Sequence, residues 1–509
     1  MKRLVVCSDG TWNNPEQEDN GIPAPTNVFK LQNAVAGIAD GVTQLCYYHP
    51  GVGGEGGIAD KILGGALGVG ISRHIKSAYH WLASHYQEGD EIFLYGFSRG
   101  AFTARSIGGF LGRGLLDFSG LTSEESWAQV DEAYEAYREA AGPAWADGKA
   151  LHHGGGPAPV RFIGVWDTVG ALGIPDDLEV LNILERPGNW RFHDTSLGDH
   201  VRTARHAMAI DEVRSSFTIT RWRNAETHAD ARELWFPGVH SDVGGGYAGT
   251  ALSDTALLWM IEESEAAGLQ FRPGVKEQLR PDALGPMHNS FKGAFAKLRS
   301  RPRNVDALET GNQARFHASA FERQARSPIA YPAYRPTRIL EPGDAATVDI
   351  FADTRWNDTG LYLGAGHQYT FAADGEWQDS KDTCDWRGTE DGKLSAGDLV
   401  RAASSFLGKF EVLFERMTDN AATDFLGTKR CEDLPWFILV GAIANDSGHL
   451  RPVSNDGTPV PHQYVALAEH ETSPLTVEMP GYLYCFPNDV WSLYGNNHGS
   501  VRLTVTRTA

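Results

Sequence analysis

Cysteine is scarce in this chain, basic residues are outnumbered, and no apolar run is long enough to span a bilayer. Each shortage closes a class of explanation. Five cysteines in 509 residues (Cys7, Cys46, Cys384, Cys431, Cys485) are odd in number and widely spaced, which excludes a disulfide framework. Cys7 and Cys46 fall on predicted strands and read as small apolar fillers, while spacing alone leaves a Cys384–Cys431 bridge open. Lys and Arg total 45 against 65 Asp and Glu, a formal charge of −20. With no basic surplus to neutralise phosphates, the charge argues against a nucleic-acid partner and against passive adsorption to an anionic membrane. Any lipid contact then needs apolar insertion or a bridging cation. The opening Met1-Lys2-Arg3-Leu4-Val5-Val6-Cys7-Ser8-Asp9 has too short an apolar run for a signal peptide. Nothing approaches a transmembrane helix. The expectation is synthesis in the cytoplasm, with any export following a route without a cleaved signal.

What is present is a globular composition, 41% hydrophobic and 22% charged. The length calls for more than one core. Strands are predicted at 4–7, 43–48, 92–95, 160–166, 203–210 and 233–236. Helical patterns fall at 68–86, after 98, within 121–150 and at 257–265. This alternation predicts a mostly parallel α/β sheet flanked by helices over residues 1–325. Prolines then crowd together (Pro328, Pro332, Pro336, Pro342), and residues 326–344 read as a linker. From 345 to 509, short alternating strands between Gly, Asn and Asp turns predict a β-sandwich, with one helix near 402–415.

The stretch that organises the first part is Glu91-Ile92-Phe93-Leu94-Tyr95-Gly96-Phe97-Ser98-Arg99-Gly100, followed by a helix with small residues at Ala101, Ala104 and Gly108. A strand, a G-x-S-x-G turn and a helix make the setting of a nucleophile elbow, so Ser98 is the candidate nucleophile. A serine hydroxyl needs a base and an acid that orients the base, and on this scaffold they follow in the order Ser, Asp, His. Asp167 and His240 stand at strand ends in that order. Asp211 competes for the acid, and Asp242 lies too close along the chain to face His240 easily. An oxyanion hole needs two backbone N–H donors. Arg99 supplies the first, and the Gly10–Thr11 turn after the first strand is placed for the second.

Gly-Phe-Ser-Arg-Gly-Ala-Phe-Thr-Ala-Arg, Cys-Ser-Asp-Gly-Thr-Trp-Asn, Gly164-Val165-Trp166-Asp167-Thr168-Val169-Gly170 and Trp235-Phe236-Pro237-Gly238-Val239-His240-Ser241-Asp242-Val243-Gly244-Gly245-Gly246-Tyr247 occur in this order. Together they resemble the α/β-hydrolase family that includes the type VI secretion phospholipase effectors, over residues 1–325. The resemblance implies an α/β-hydrolase fold, a Ser98–Asp167–His240 triad and ester hydrolysis on glycerophospholipids. It also implies secretion-apparatus or immunity partners, with action at a target-cell periplasm or membrane surface.

Near the C-terminus, Asp489, Asn496 and Asn497 place one carboxylate and two amide oxygens within nine residues. On a loop between strands such a set can converge on a hard cation, or form an Asx-rich turn. Residues 345–507 are similar to the calcium-dependent galactose-binding bacterial lectins of the PA-I type. That resemblance implies Ca2+ held by the side chains of Asp489, Asn496 and Asn497 and the carbonyl of Leu493, with a further carbonyl near Asp379 or Ser380. It implies a glycan ligand less firmly, because the region from Lys381 to Glu432 is longer and the sugar-contacting residues do not map. The leading expectation is therefore a serine esterase or phospholipase with a calcium-dependent docking module and no cofactor in the hydrolase part. A lectin-like docking protein with a silent hydrolase domain is the alternative, and a peptidase or thioesterase on the same scaffold is a third reading.

Overall fold

The computed structural model describes the chain apart from Trp12, 52–65, 140–141, 171–194, 294–298, 328, 330–332, 380–381, 390–428, 446–458 and Ser492. The helix expected near 402–415 lies outside the described residues. Among the described residues, nine strands form in the first part: β1 (Lys2–Ser8), β2 (Glu18–Asp19), β3 (Ile22–Pro23), β4 (Ile38–Ala39), β5 (Val42–His49), β6 (Glu91–Phe97), β7 (Val160–Trp166), β8 (Val201–Ala209) and β9 (Ala231–Phe236). β2 and β3 pair only with each other, whereas the other seven form one sheet in the order β4-β5-β1-β6-β7-β8-β9. Every pairing in that sheet is parallel except β4 with β5.

The near-continuous apolar runs of β1, β6 and β7 follow from burial on both faces. Alternate side chains point to opposite layers. Leu4, Val6, Ile92 and Leu94 join Ile75, Tyr79 and Leu82 of the helix Ala66–His85, and Ile107 and Phe110 of the helix Arg99–Leu111. Val5, Cys7, Phe93, Tyr95 and Phe97 pack on the other side, against Val28 and Leu31 of the helix Asn27–Ala34 and Leu257, Met260 and Ile261 of the helix Ala251–Ala266. Among the described residues, no helix is long and apolar enough to cross a membrane.

The strands described in the second part are β10 (Ala345–Phe351), β11 (Asn357–Leu363), β12 (Gln368–Asp374), β13 (Trp377–Asp379), β14 (Asp382–Cys384), β15 (Leu439–Asn445), β16 (Gln463–Ala466), β17 (Leu475–Thr476), β18 (Gly481–Pro487) and β19 (Asn497–Arg507), with short 3-10 turns at Leu467–His470 and Tyr494–Asn496. One antiparallel sheet runs β14-β13-β19-β12-β17, with β10 also on β19, and the other runs β11-β18-β15-β16. Ile350, Phe371, Trp377, Val501 and Leu503 from the first share a hydrophobic cluster with Leu361, Leu439, Ile443, Leu483 and Cys485 from the second. No disulfide joins any of the five cysteines.

The Pro-rich stretch is bonded to both parts. Arg335 donates to Asp211 Oδ1 at 3.2 Å and to the Tyr484 hydroxyl at 3.3 Å. Nearby, the Tyr482 hydroxyl accepts the Leu308 N–H at 2.9 Å.

Candidate active site

β6 ends at Phe97, and the helix Arg99–Leu111 begins two residues later. Ser98 makes the turn between them with φ 59° and ψ −125°, a region that ordinary side chains avoid at a cost of about 1–3 kcal/mol. The flanking glycines are required by contact. A Cβ on Gly96 would overlap the Gly100 carbonyl, and a Cβ on Gly100 would overlap the carbonyl of Ser8 at the end of β1. The elbow is thus wedged between its own helix and the neighbouring strand, and Ser98 keeps only 5% of its surface exposed. Its N–H donates to the Trp166 carbonyl at 3.0 Å, which brings it beside the end of β7.

Asp167 follows β7 and is fully buried, with φ 41°. Its Oδ2 accepts from His240 Nδ1 at 2.5 Å, and its Oδ1 accepts the Ala209 N–H at 2.8 Å. His240 opens a short helix after β9, so Ser98, Asp167 and His240 all stand at the carboxyl edge of one sheet. The ring centroid of Phe97, next to Ser98, lies 4.5 Å from that of the imidazole, and Phe217 meets the imidazole edge to face at 4.9 Å. With Nδ1 donating to the carboxylate, Nε2 carries the lone pair, the tautomer a general base needs.

Charge is arranged to keep that state. Burial raises the Asp167 carboxyl, but Arg303 and the His240 bond outweigh it and hold the group well below the usual carboxylate range. Burial pushes the His240 imidazole down, Asp167 and Glu212 push it up, Arg214 pushes it down, and the balance keeps it below its ordinary value. The pair at rest is a carboxylate and a neutral imidazole.

The other candidate acids are engaged elsewhere. Asp211 accepts from the Gly238 N–H at 2.7 Å and the Tyr334 hydroxyl at 3.0 Å, as well as from Arg335. Asp242 faces His288 Nδ1 at 2.6 Å. In the loop expected to complete an oxyanion hole, the Gly10 N–H is directed to Asp9 Oδ1 at 2.8 Å rather than toward Ser98. A Cβ on Gly10 would come 3.1 Å from the Cβ of Ser98, so the loop lies directly against the elbow. Asp9 fastens it there by accepting from Thr26 Oγ1 at 2.7 Å and the Tyr48 hydroxyl at 2.8 Å.

Three neighbours have no motif to announce them. Arg303 donates to both Asp167 oxygens, at 2.6 and 2.9 Å. Glu212 accepts the His240 N–H at 3.3 Å and pairs with Arg214 at 2.8 Å. His206 Nε2 accepts the Thr168 N–H at 3.1 Å while its Nδ1 bonds Glu233 at 3.0 Å, which anchors the loop just after Asp167. The only sequence signal for Arg303 is the basic run Arg299-Ser300-Arg301-Pro302-Arg303 in an acidic chain.

In the second part, Asp489 Oδ2 accepts from Asn497 Nδ2 at 2.9 Å, and Asp379 Oδ1 accepts from Asn496 Nδ2 at 2.8 Å. Asp379 is also the β-ladder partner of Asn497. The amide oxygens of Asn496 and Asn497 are buried without a hydrogen-bond partner, and burial pushes the Asp489 carboxyl up. The Leu493 carbonyl accepts the Asn496 N–H at 3.1 Å. Ser380 lies outside the described residues. Orphaned oxygens beside two largely buried carboxylates are a donor set that fits a hard cation. Among the described residues no cluster of three His, Cys, Asp or Glu side chains could hold a metal, so such an ion depends on amide and carbonyl oxygens.

The family model described as "T6SS, Phospholipase effector Tle1-like, catalytic domain" matches residues 2–263. The uncharacterized protein YEL023C of Saccharomyces cerevisiae is 29% identical over 238 residues, covering 42% of this chain and 32% of that protein. Similar solved structures include an uncharacterized protein from Pseudomonas aeruginosa, with a TM-score of 0.35 and 19% identity over 55% of this chain and 49% of that one. The Tle1 effector bound to the VgrG spike of the type 6 secretion system gives a TM-score of 0.27 and 18% identity over 48% and 51%. The N-terminal domain of EclA, a PllA-like lectin, gives 0.17 and 17% over 32% of this chain and 94% of that one. The chain thus spans about a third of the yeast relative and about half of each of the first two structures.

Proposed function

The chain belongs to the family of Tle1-like phospholipase effectors of the type VI secretion system through their catalytic domain, and from that membership we propose a serine hydrolase that cleaves acyl esters of phospholipids. The observation that carries the proposal is the 2.5 Å contact of His240 Nδ1 with buried Asp167, at the sheet edge where the strained Ser98 elbow also lies. In the proposed reaction Ser98 Oγ attacks the ester carbonyl carbon while its proton passes to His240 Nε2. The N–H groups of Arg99 and Thr11 are the proposed donors to the oxyanion. Collapse breaks the ester C–O bond, and the imidazolium returns the proton to the departing alcohol. Water, deprotonated by the same nitrogen, then releases the fatty acid from Ser98. Asp167 stays ionised throughout and stabilises the imidazolium.

We read the two antiparallel sheets as a β-sandwich domain behind the hydrolase domain. Asp379, Asp489, Asn496, Asn497 and the Leu493 carbonyl are its proposed Ca2+ ligands. A calcium ion there would fix the loop and offer a docking point for glycan hydroxyls. Family membership also supports delivery by the secretion apparatus to a target cell, with an immunity protein as a further partner. The test is a panel of phospholipids and short esters with wild type and Ser98→Ala. Loss of turnover in a folded variant is expected; undiminished turnover rejects the assignment.

A further inference from the structure

Arg303 lies beyond the 2–263 stretch that the family model matches, yet it grips Asp167 on both oxygens. The same guanidinium donates to the carbonyls of Ala209 and Phe217, each at 2.7 Å, and its side chain is 4% exposed. Four charge-assisted bonds fix it, and a planar fork is the shape that meets a carboxylate edge-on without displacing the imidazole.

The segment carrying Arg303 is a strap with two sets of fastenings. On the side of the parallel sheet, the Arg301 N–H donates to the Val213 carbonyl at 2.6 Å, and the Ser215 hydroxyl donates to the Arg299 carbonyl at 3.0 Å. On the side of the antiparallel sheets, Trp356 Nε1 donates to the Ser300 carbonyl at 3.1 Å and Arg301 Nη2 donates to the Val460 carbonyl at 2.6 Å. Asn304 Nδ2 donates to the carbonyl of Asn445 at the end of β15 and to that of Val460. Asn304 thus reaches the end of β15 and Arg301 the segment leading to β16, while Arg303 between them reaches the acid of the proposed triad.

Resting on the triad reading above, we infer that Arg303 is a positioning residue for Asp167 and that the C-terminal sheets, through the strap, hold it in place and so set the competence of the hydrolase site. Arg303 fixes the carboxylate so that one oxygen meets His240 squarely, and its charge limits how strongly the carboxylate favours an imidazolium. The groups facing His240 are Asp167, Glu212 and Arg214; those facing Asp167 are His240, Arg303 and His206. Removing Arg303 takes away the cation that balances Asp167. Either His240 then holds a proton more tightly or Asp167 itself takes one, and both outcomes move the loss of activity at low pH upward.

The test is kcat/KM against pH for the full chain on a soluble short-chain ester, with Arg303→Gln, Arg303→Lys, Asn304→Ala and Ser98→Ala. Arg303→Gln is expected to lose roughly 100-fold and to shift the acid limb up by about one pH unit. Arg303→Lys, which restores the charge without the fork, should return the limb toward wild type and recover only part of the rate. Asn304→Ala keeps Arg303 and removes one strap fastening; its acid limb should move in the same direction by less. An acid limb unmoved in folded Arg303→Gln, or in folded Asn304→Ala should the first variant not fold, overturns the inference. Activity persisting in Ser98→Ala would instead overturn the triad reading and leave the strap geometry untouched.

Discussion

At the scale of single residues, the site is defined by which carboxylate the imidazole meets. Asp167 makes that contact while Asp211 is committed to Tyr334 and Arg335. Asp167→Asn, which keeps the shape but favours the wrong tautomer, is expected to cost about ten-thousand-fold in kcat. Asp211→Asn should leave turnover within a few-fold of wild type and instead lower the thermal midpoint, because its partners fasten the Pro-rich stretch. Comparing the two kcat values checks this directly. The sequence narrowed the acid to these positions by chain order and strand ends, but it could not choose by distance. Nor could it see Arg303, 136 positions from Asp167 and brought there only by the fold. At Gly10 the loop was legible and its hydrogen bonding was not, since the N–H turns to the carboxylate of the preceding residue.

At the scale of elements, the Ser98 elbow and the Asp489–Asn497 loop are both short turns whose local sequence carries their geometry. Gly100→Ala must push a methyl into the backbone of β1, so soluble yield should collapse, read as loss of the folded fraction by circular dichroism. Strands buried on both faces were legible from apolar runs alone, as Val160–Trp166 shows. The helix Ala251–Ala266 starts six residues before its predicted start. Ser253, Asp254 and Thr255 look like turn residues, yet Thr250 Oγ1 and Lys30 bond Asp254 and hold that polar first turn in place. In the Asp489–Asn497 loop the sequence assigned Asp379 at most a carbonyl, whereas its carboxylate reaches Asn496. If this loop takes calcium, chelator should lower the thermal midpoint of wild type, and Asp489→Asn should abolish that response.

At the scale of the whole molecule, three largely buried histidines tie stability to pH. Burial pushes His462 down to about 3 and also holds His206 and His240 below the ordinary histidine value. An unfolded chain protonates all three below about pH 6.5, while the folded chain does not until lower pH. The unfolded state therefore binds more protons, and stability falls as pH drops below that point, by up to about 1.4 kcal/mol per pH unit for each such histidine. Asp167 adds a second acid-side loss: its depressed carboxyl stabilises the fold above about pH 4, and that contribution fades as pH falls further. Denaturant midpoints measured at falling pH should decline steadily; a flat profile would contradict the burial of these groups.

The central claim is that one serine is activated by His240. Its most direct measurement is covalent labelling of the intact chain with a fluorophosphonate, with the adduct located by peptide mass analysis. A single adduct on Ser98, formed rapidly in wild type and far more slowly in His240→Ala, is the predicted result. No adduct, or one on a different serine at a rate indifferent to His240, would contradict it.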